Sequence, residues 1–103
     1  MILAKIFKTN NEIISFNISG HAESNKFGED LVCAAVTGII NGALNALDLK
    51  FGNNLELIVK KNEIVINVKE NNNLIQELLE FLMIQLETIS IQYPKNFKIE
   101  GMI

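Results

Sequence analysis

The sequence has no tryptophan, one cysteine and one histidine, and these scarcities argue against several kinds of site. A single cysteine cannot form a disulfide within the chain, which is typical of proteins in a reducing compartment. Zinc sites are built mainly from several cysteine and histidine side chains, so the composition argues against a zinc site. We therefore expect a cytoplasmic protein that uses no metal and no other cofactor.

Charge and hydropathy narrow the class of protein further. The net charge is −3, and the basic residues form no cluster beyond the pair Lys60-Lys61, so the electrostatic footprint of a nucleic-acid-binding protein is missing. Lys5 and Lys8 interrupt the first apolar residues, so we expect no signal peptide. No uninterrupted apolar run approaches the ~20 residues that span a bilayer. We expect neither a nucleic acid nor a membrane as a direct partner.

What the chain does contain is typical of one globular domain, residues 1–103. Its 103 residues are 49% hydrophobic and 20% charged, which is enough for one hydrophobic core. Alternation and helical spacing of the apolar residues predict the order β-β-α-β-β-α-β. The strands are expected over 2–8, 13–19, 55–60, 63–69 and 96–101, with one helix between Asp30 and Gly52 and another between 71–73 and Pro94.

Two helices on one face of a mostly antiparallel sheet give an α+β fold, a two-layer sandwich whose strand order stays open. In the second strand, Ile14, Phe16 and Ile18 are expected to face the core. The second helix has a wide apolar surface, and Phe81 lies outside its main stripe. The predicted stripe is Leu74, Leu78, Leu82, Leu86 and Ile89, with Ile75, Leu79 and Met83 beside it. This surface belongs either to the core or, in part, to a dimer interface.

The stretch from 20 to 37 concentrates the residues that carry chemistry. It holds the sole histidine, His21, on a glycine-bounded loop after a strand, and the sole cysteine, Cys33, at the start of a helix. With Asp30 as the helix N-cap, Cys33 falls at the third helical residue. Free backbone N–H groups and the helix dipole there stabilise a thiolate. A thiolate beside an imidazole suits nucleophilic catalysis.

Each of these residues also has a plain structural interpretation. Cysteine is among the most buried residue types, so Cys33 can be structural, and His21 can be a surface or capping residue. Asp30 serves as an N-cap or orients His21, or both. Thr37, one turn after Cys33, fits best as a helix-surface or packing residue, although its hydroxyl can bond back along the helix.

The same stretch resembles the signature of a known bacterial family, the ribosomal-processing cysteine protease family usually called Prp. The resemblance is carried by Gly20-His21-Ala22, by Gly28, and by Asp30-Leu31-Val32-Cys33-Ala34-Ala35-Val36. The family is about this length and has an α+β sandwich of paired strands and two helices, so the resemblance covers the whole chain. The family commonly has serine where this chain has Thr37.

The resemblance implies a Cys-His endopeptidase that acts in ribosome assembly. The family removes an N-terminal extension from the twenty-seventh protein of the large ribosomal subunit, and its members are typically homodimers. It assigns Cys33 as the nucleophile, His21 as the proton donor and acceptor, and Asp30 as the acidic position; Gly20, Ala22 and Gly28 belong to the substrate loop. The alternatives are a non-enzymatic ribosome-assembly or protein-binding module with a structural Cys33, and a thiol-based redox sensor, which lacks a second cysteine.

Overall fold

The computed structural model describes the backbone of residues 1–20 and 29–102 and the side chains of residues 1–20 and 31–101. The described elements follow the predicted order: β1 (Ile2–Thr9), β2 (Glu12–Ser19), α1 (Glu29–Phe51), β3 (Leu55–Val59), β4 (Glu63–Val68), α2 (Asn73–Gln92) and β5 (Phe97–Met102). The predicted α+β class is confirmed. Most predicted boundaries lie within a residue or two of those observed.

The strands form one five-stranded sheet with the order β3-β4-β2-β1-β5. β1 and β2 pair as an antiparallel hairpin, β4 pairs with both β2 and β3 in antiparallel fashion, and β5 is parallel to β1. The hairpin between β1 and β2 turns at Asn10 and Asn11, whose φ angles are 53° and 65°. Asparagine tolerates this left-handed conformation, which matches the twist of the strands it joins.

A β-bulge in this hairpin reverses part of the predicted inward pattern. Phe7 pairs with Ser15, but Lys8 pairs with Ile13, so Ile14 is an extra residue in β2. The extra residue shifts the alternation: Ile13 is buried and Ile14 is 43% exposed. The prediction that Phe16 and Ile18 face the core is confirmed, and the prediction for Ile14 was wrong because a bulge leaves no mark in an alternating pattern.

The core lies between the sheet and the two helices. Its largest fully buried side chains come from every layer: Phe16, Phe97, Ile40, Ile66, Ile75, Leu79, Leu86 and Val32. In α2 the buried residues are Ile75, Leu79, Leu82 and Leu86. The predicted stripe is confirmed at Leu82 and Leu86, the neighbouring Ile75 and Leu79 complete the buried face, and Leu74 is 57% exposed. The N-cap is Asn72, one of the predicted asparagines, and its side chain accepts a hydrogen bond from the amide of Ile75 at 2.8 Å.

Helix α1 differs from the prediction at its start. It begins at Glu29, so Asp30 lies inside the first turn and is not the N-cap. At the other end, α1 stops at Phe51, as predicted from Gly52. A Cβ at Gly52 would lie 2.7 Å from the carbonyl oxygen of Asp48, so only glycine allows the chain to turn this closely against the helix end.

Helix α1 is apolar over most of its length, although polar residues interrupt it. Over Leu31–Phe51 it is long and apolar enough to cross a membrane by length and composition, with a mean hydropathy of 1.5. Thr37, Asn41 and Asn45 interrupt the run, which is why no span was expected from uninterrupted stretches. Core helices of globular proteins meet the same criterion, and α1 places Val32, Val36, Ile40 and Leu47 in the core.

Candidate active site

Cys33 projects from α1 at the edge of the hydrophobic core. Its side chain is partly buried and packs against the core, while Val32 and Val36 beside it are buried. These two valines fix the rotation of the helix, because both must face the sheet. Cys33 is therefore held in place by the core and still reaches the surface, which is what a nucleophile requires.

The observed start of α1 changes how the helix acts on the thiol. Counting from Glu29, Cys33 is the fifth helical residue, not the third. The unpaired N–H groups of a helix belong to its first turn. The amide of Cys33 lies beyond that turn and is not one of them. The dipole effect weakens beyond that turn, so the helix start contributes less to a thiolate than the sequence predicted.

Thr37 lies one turn further along α1 and contacts the thiol. Its Oγ1 is 4.0 Å from the Sγ of Cys33, at the limit for a hydrogen bond to sulfur, and either group can donate. The threonine side chain is exposed. It is thus a helix-surface residue, one of the two structural roles predicted for it, and its hydroxyl is also a polar group beside the thiol.

A cavity of about 260 Å³ opens beside Cys33 and Thr37. One wall is α1, and the opposite wall is the turn between β3 and β4, residues 60–63, together with the last residue of β3, Val59. The floor is apolar and formed by Ile2, Ile18, Val36, Ile40 and Ile64. A cleft with an apolar floor and a few polar groups at its rim is the usual form of a ligand site.

Gly20 joins β2 to this cleft and adopts a conformation that favours glycine. Its φ angle is +79°, and a Cβ there would lie 2.5 Å from the carbonyl oxygen of Met1. Its amide donates to the carbonyl of Asn62 at 3.2 Å. The chain therefore leaves β2 in a fixed direction, tied to the β3–β4 turn, immediately before the residue predicted to be the proton donor and acceptor.

The rim formed by the β3–β4 turn carries charge of both signs. Lys60 forms an exposed ion pair with Glu63, with 3.9 Å between Nζ and Oε1, and Asn17 donates from Nδ2 to Oε2 of Glu63 at 3.0 Å. Lys61 lines the cavity next to them. The pair Lys60-Lys61 was visible as a turn, but only the sheet order places it opposite Cys33.

Of the predicted site residues, the structure places Gly20, Cys33 and Thr37 at one cleft. His21, Ala22 and Gly28 lie outside the described residues. The backbone of Asp30 belongs to the first turn of α1, and its side chain is likewise outside the described part of the chain. Among the described residues, no group of three or more His, Cys, Asp or Glu side chains could hold a metal ion.

Comparison with known proteins decides the family of this fold and cleft. The model of the family "Cysteine protease Prp" matches residues 1–98. The chain belongs to the cysteine protease Prp family. The predicted resemblance is thus confirmed, and so is the prediction that the chain is an enzyme, a cysteine protease. The binding-module alternative is correspondingly disfavoured.

Curated and structural relatives agree with membership of the Prp family. The chain is 32% identical over 107 residues to the ribosomal processing cysteine protease Prp of Bacillus subtilis (strain 168), covering 96% of each protein. It is 26% identical over 90 residues to Prp of Staphylococcus aureus (strain Mu50), covering 80% of each.

Two solved structures share the fold. The essential ribosomal processing protease Prp from S. aureus in complex with a substrate peptide gives a TM-score of 0.85 at 22% identity, covering 98% of this chain and 99% of the other. The same protease with a covalently linked product peptide gives 0.85 at 24% identity, with the same coverage. At these identities the likeness shows the fold of the Prp family and leaves the roles of individual residues to the site itself.

Proposed function

We propose that this chain is an endopeptidase that removes the N-terminal extension of the twenty-seventh protein of the large ribosomal subunit during ribosome assembly in the cytoplasm. Cys33 is the nucleophile and His21 the proton donor and acceptor. One observation carries the proposal. A chain of a cysteine protease family has a single cysteine, and that cysteine lies partly exposed beside a cleft. The Prp relatives, which are named for ribosomal processing, support the substrate class.

The proposed reaction has two covalent steps. The thiolate of Cys33 attacks the scissile carbonyl carbon, and His21, which holds the thiol proton, donates it to the leaving amine as the C–N bond breaks. A thioester between the N-terminal fragment and Sγ remains. Water then attacks the thioester carbonyl with His21 as the base, the C–S bond breaks, and the thiol regains its proton.

The remaining predicted site residues assist this reaction. Asp30 orients His21, in the manner of the third member of a catalytic triad. Gly20, Ala22 and Gly28 form the loop beside which the substrate lies, and small residues there let two backbones approach closely. Gly20, the neighbour of His21 in the sequence, lines the same cleft as Cys33, which supports the proposed pairing of His21 with Cys33.

We further infer that the enzyme is a homodimer whose two copies meet through the outer face of α1 and α2. A groove of about 400 Å³ lies between these helices, away from Cys33, with the small residues Gly38, Gly42 and Ala46 on one side and Phe81 on the other. Phe81 is 64% exposed. Only 22% of the most apolar stretch of α1, within Leu31–Phe51, is buried. An apolar surface therefore remains that a second copy would cover.

The catalytic assignment is tested with a peptide that spans the extension and the first residues of the mature ribosomal protein. Cys33→Ser and His21→Ala should each reduce cleavage at least a thousandfold, because each removes a group that forms or breaks bonds in the reaction. Mass spectrometry detects the single new N-terminus. Lys95→Ala, an exposed substitution away from the cleft, is the matched control and should cleave normally.

Thiol reactivity gives an independent measurement. Iodoacetamide should alkylate Cys33 in the native protein, and alkylation should stop cleavage in proportion. Full activity in Cys33→Ala would overturn the assignment. A thiol that stays inert, in a protein that leaves the peptide intact, would instead favour a binding module with a structural cysteine.

A further inference from the structure

The sheet has two open edges among the described strands, β3 and β5, and one of them leads to the cleft. The last residue of β3, Val59, lines the same cavity as Cys33 and is 68% exposed. β3 also packs against α1, the helix that carries Cys33, whereas β5 packs against α2 at the opposite edge. An extended segment that lay along β3 would therefore run directly into the site.

The hydrogen bonds around β3 show which of its backbone groups face outward. The amide of Lys60 donates to the carbonyl of Glu63 at 2.8 Å, and the amide of Lys69 donates to the carbonyl of Asn54 at 2.9 Å. These bonds lie just beyond the two ends of the β3–β4 pairing, which is antiparallel and unbroken in register. In an antiparallel pair, bonded and non-bonded positions alternate.

The alternation assigns every residue of β3. The backbones of Asn54 and Lys60 form hydrogen bonds with β4 or with the residues next to it. Every second residue between them, Glu56 and Ile58, therefore bonds to β4 as well. The N–H and C=O groups of Leu55, Leu57 and Val59 then point to the open edge. No strand in the described part of the chain pairs with them. Such a row of unpaired backbone groups is a template for another strand.

We propose that the substrate binds as an added strand on the outer edge of β3, with its backbone paired to Leu57 and Val59. This inference rests on the proposed function and specifies how the substrate reaches Cys33. Strand addition supplies affinity from main-chain hydrogen bonds and leaves side-chain selection to pockets at alternate positions. Here the apolar cavity beside Val59 receives one such side chain, and the next residue along the substrate faces away from it.

A substrate strand has a periodic signature that other binding modes lack. In a series of substrate peptides, one backbone amide at a time is N-methylated. Alternate methyl groups on one side of the scissile bond should lower kcat/KM by roughly three- to tenfold, mainly through KM, because each removes one hydrogen bond to β3. The interleaved amides face away from β3 and serve as matched controls that should change little.

The outcomes separate this inference from the proposed function. If the unmodified peptide is not cleaved, the proposed function fails. If it is cleaved and methylation shows no period of two, strand addition is contradicted and the proposed function stands.

Hydrogen exchange on the Cys33→Ala variant tests the edge directly, without cleavage. Adding the unmodified peptide should slow exchange of the Leu57 and Val59 amides at least tenfold and leave Glu56 and Ile58 unchanged, since those two already bond to β4. Slowing at β5, or at no strand, would contradict the inference. So would protection of Leu57 and Val59 before the peptide is added, because that would mean a second copy of the chain covers this edge.

Discussion

At the scale of single residues, Thr37 is the described side chain with the most direct influence on the thiol. Its hydroxyl lies 4.0 Å from Sγ of Cys33. Thr37→Val keeps the shape and removes the hydroxyl, so we expect kcat and the rate of alkylation by iodoacetamide to fall by about three- to tenfold, the effect of one lost hydrogen bond. Both quantities are measured at one fixed pH.

Thr37→Ser is the matched control for this prediction, because it restores the hydroxyl and removes only a methyl group. It should retain most of the activity of the parent. A purely structural role would give the opposite order, since valine fills the space of threonine better than serine does. Equal activity of the valine variant and the parent would also contradict a role for the hydroxyl.

The placement of Cys33 was largely predictable, and the reason is the rarity of cysteine in this chain. One cysteine in a helical pattern could be assigned to α1 and to a surface near its start from sequence alone. The position of Asp30 was predicted less well, because the helix begins two residues earlier than an N-cap at Asp30 implies, and the start of a helix depends on which residue closes the first turn. The contact of Thr37 with Cys33 depends on side-chain rotamers, which spacing does not specify.

At the scale of elements, a side chain takes the place of a strand at the start of β2. β4 pairs with β2 only between Ser15 and Ser19, so the backbone of Ile13 has no strand on that side. Gln76 of α2 supplies the partner: its Oε1 accepts from the Ile13 amide at 2.7 Å and its Nε2 donates to the Ile13 carbonyl at 2.8 Å. The same Nε2 donates to Oδ1 of Asn71 at 2.8 Å.

We therefore expect Gln76→Met to destabilise the fold. Methionine has a similar length and cannot satisfy the amide and carbonyl of Ile13, which are partly buried, so the free energy of unfolding should fall by about 1–3 kcal/mol. Urea unfolding followed by circular dichroism measures the change. Gln92→Met, at the exposed last residue of α2, should stay within about 0.5 kcal/mol of the parent. Equal stability of the two variants would show that water replaces Gln76 at no cost.

The elements themselves were predicted well because each rests on local patterns. Alternation marks strands, helical spacing marks helices, and Asn72 and Gly52 mark helix ends. The bulge at Ile14 was not predictable, since Ile13 and Ile14 are both apolar. The sequence therefore does not show which of the two isoleucines faces the core. The buried face of α2 was predicted only in part, because its apolar surface is wide enough to hold more than one stripe.

At the scale of the whole molecule, the strand order determines which residues meet at the cleft, and it could not be predicted from the sequence. The order β3-β4-β2-β1-β5 brings the turn at 60–63 opposite Cys33 and leaves the edge of β3 open beside it. Pairing between strands far apart in the chain depends on the packing of the complete core, and no local pattern encodes it. The cleft is therefore a property of the fold, whereas its proposed nucleophile, Cys33, was visible in the sequence.

The proposed dimer would explain the apolar composition of α1, because the helix would then be buried on two different faces. One face packs on the sheet through Val36 and Ile40, and the proposed dimer covers the other, which carries Gly38 and Gly42 beside the groove. Phe81 contributes a large exposed apolar surface to this groove, and burying such a side chain stabilises an interface by about 1.5–3 kcal/mol. In a two-fold dimer the contribution occurs once per copy.

Phe81→Glu should accordingly convert the dimer to a monomer, because it replaces two apolar contacts with two buried like charges across the two-fold axis. Light scattering coupled to size-exclusion chromatography should show the parent near twice its chain mass and the variant near one chain mass over the same concentration range. Ile91→Glu is the matched control: Ile91 is 77% exposed on the same helix and lies outside the groove, so this variant should remain dimeric. A monomeric parent, or a dimeric Phe81→Glu variant, would assign the outer face of α1 and α2 to something other than a second copy.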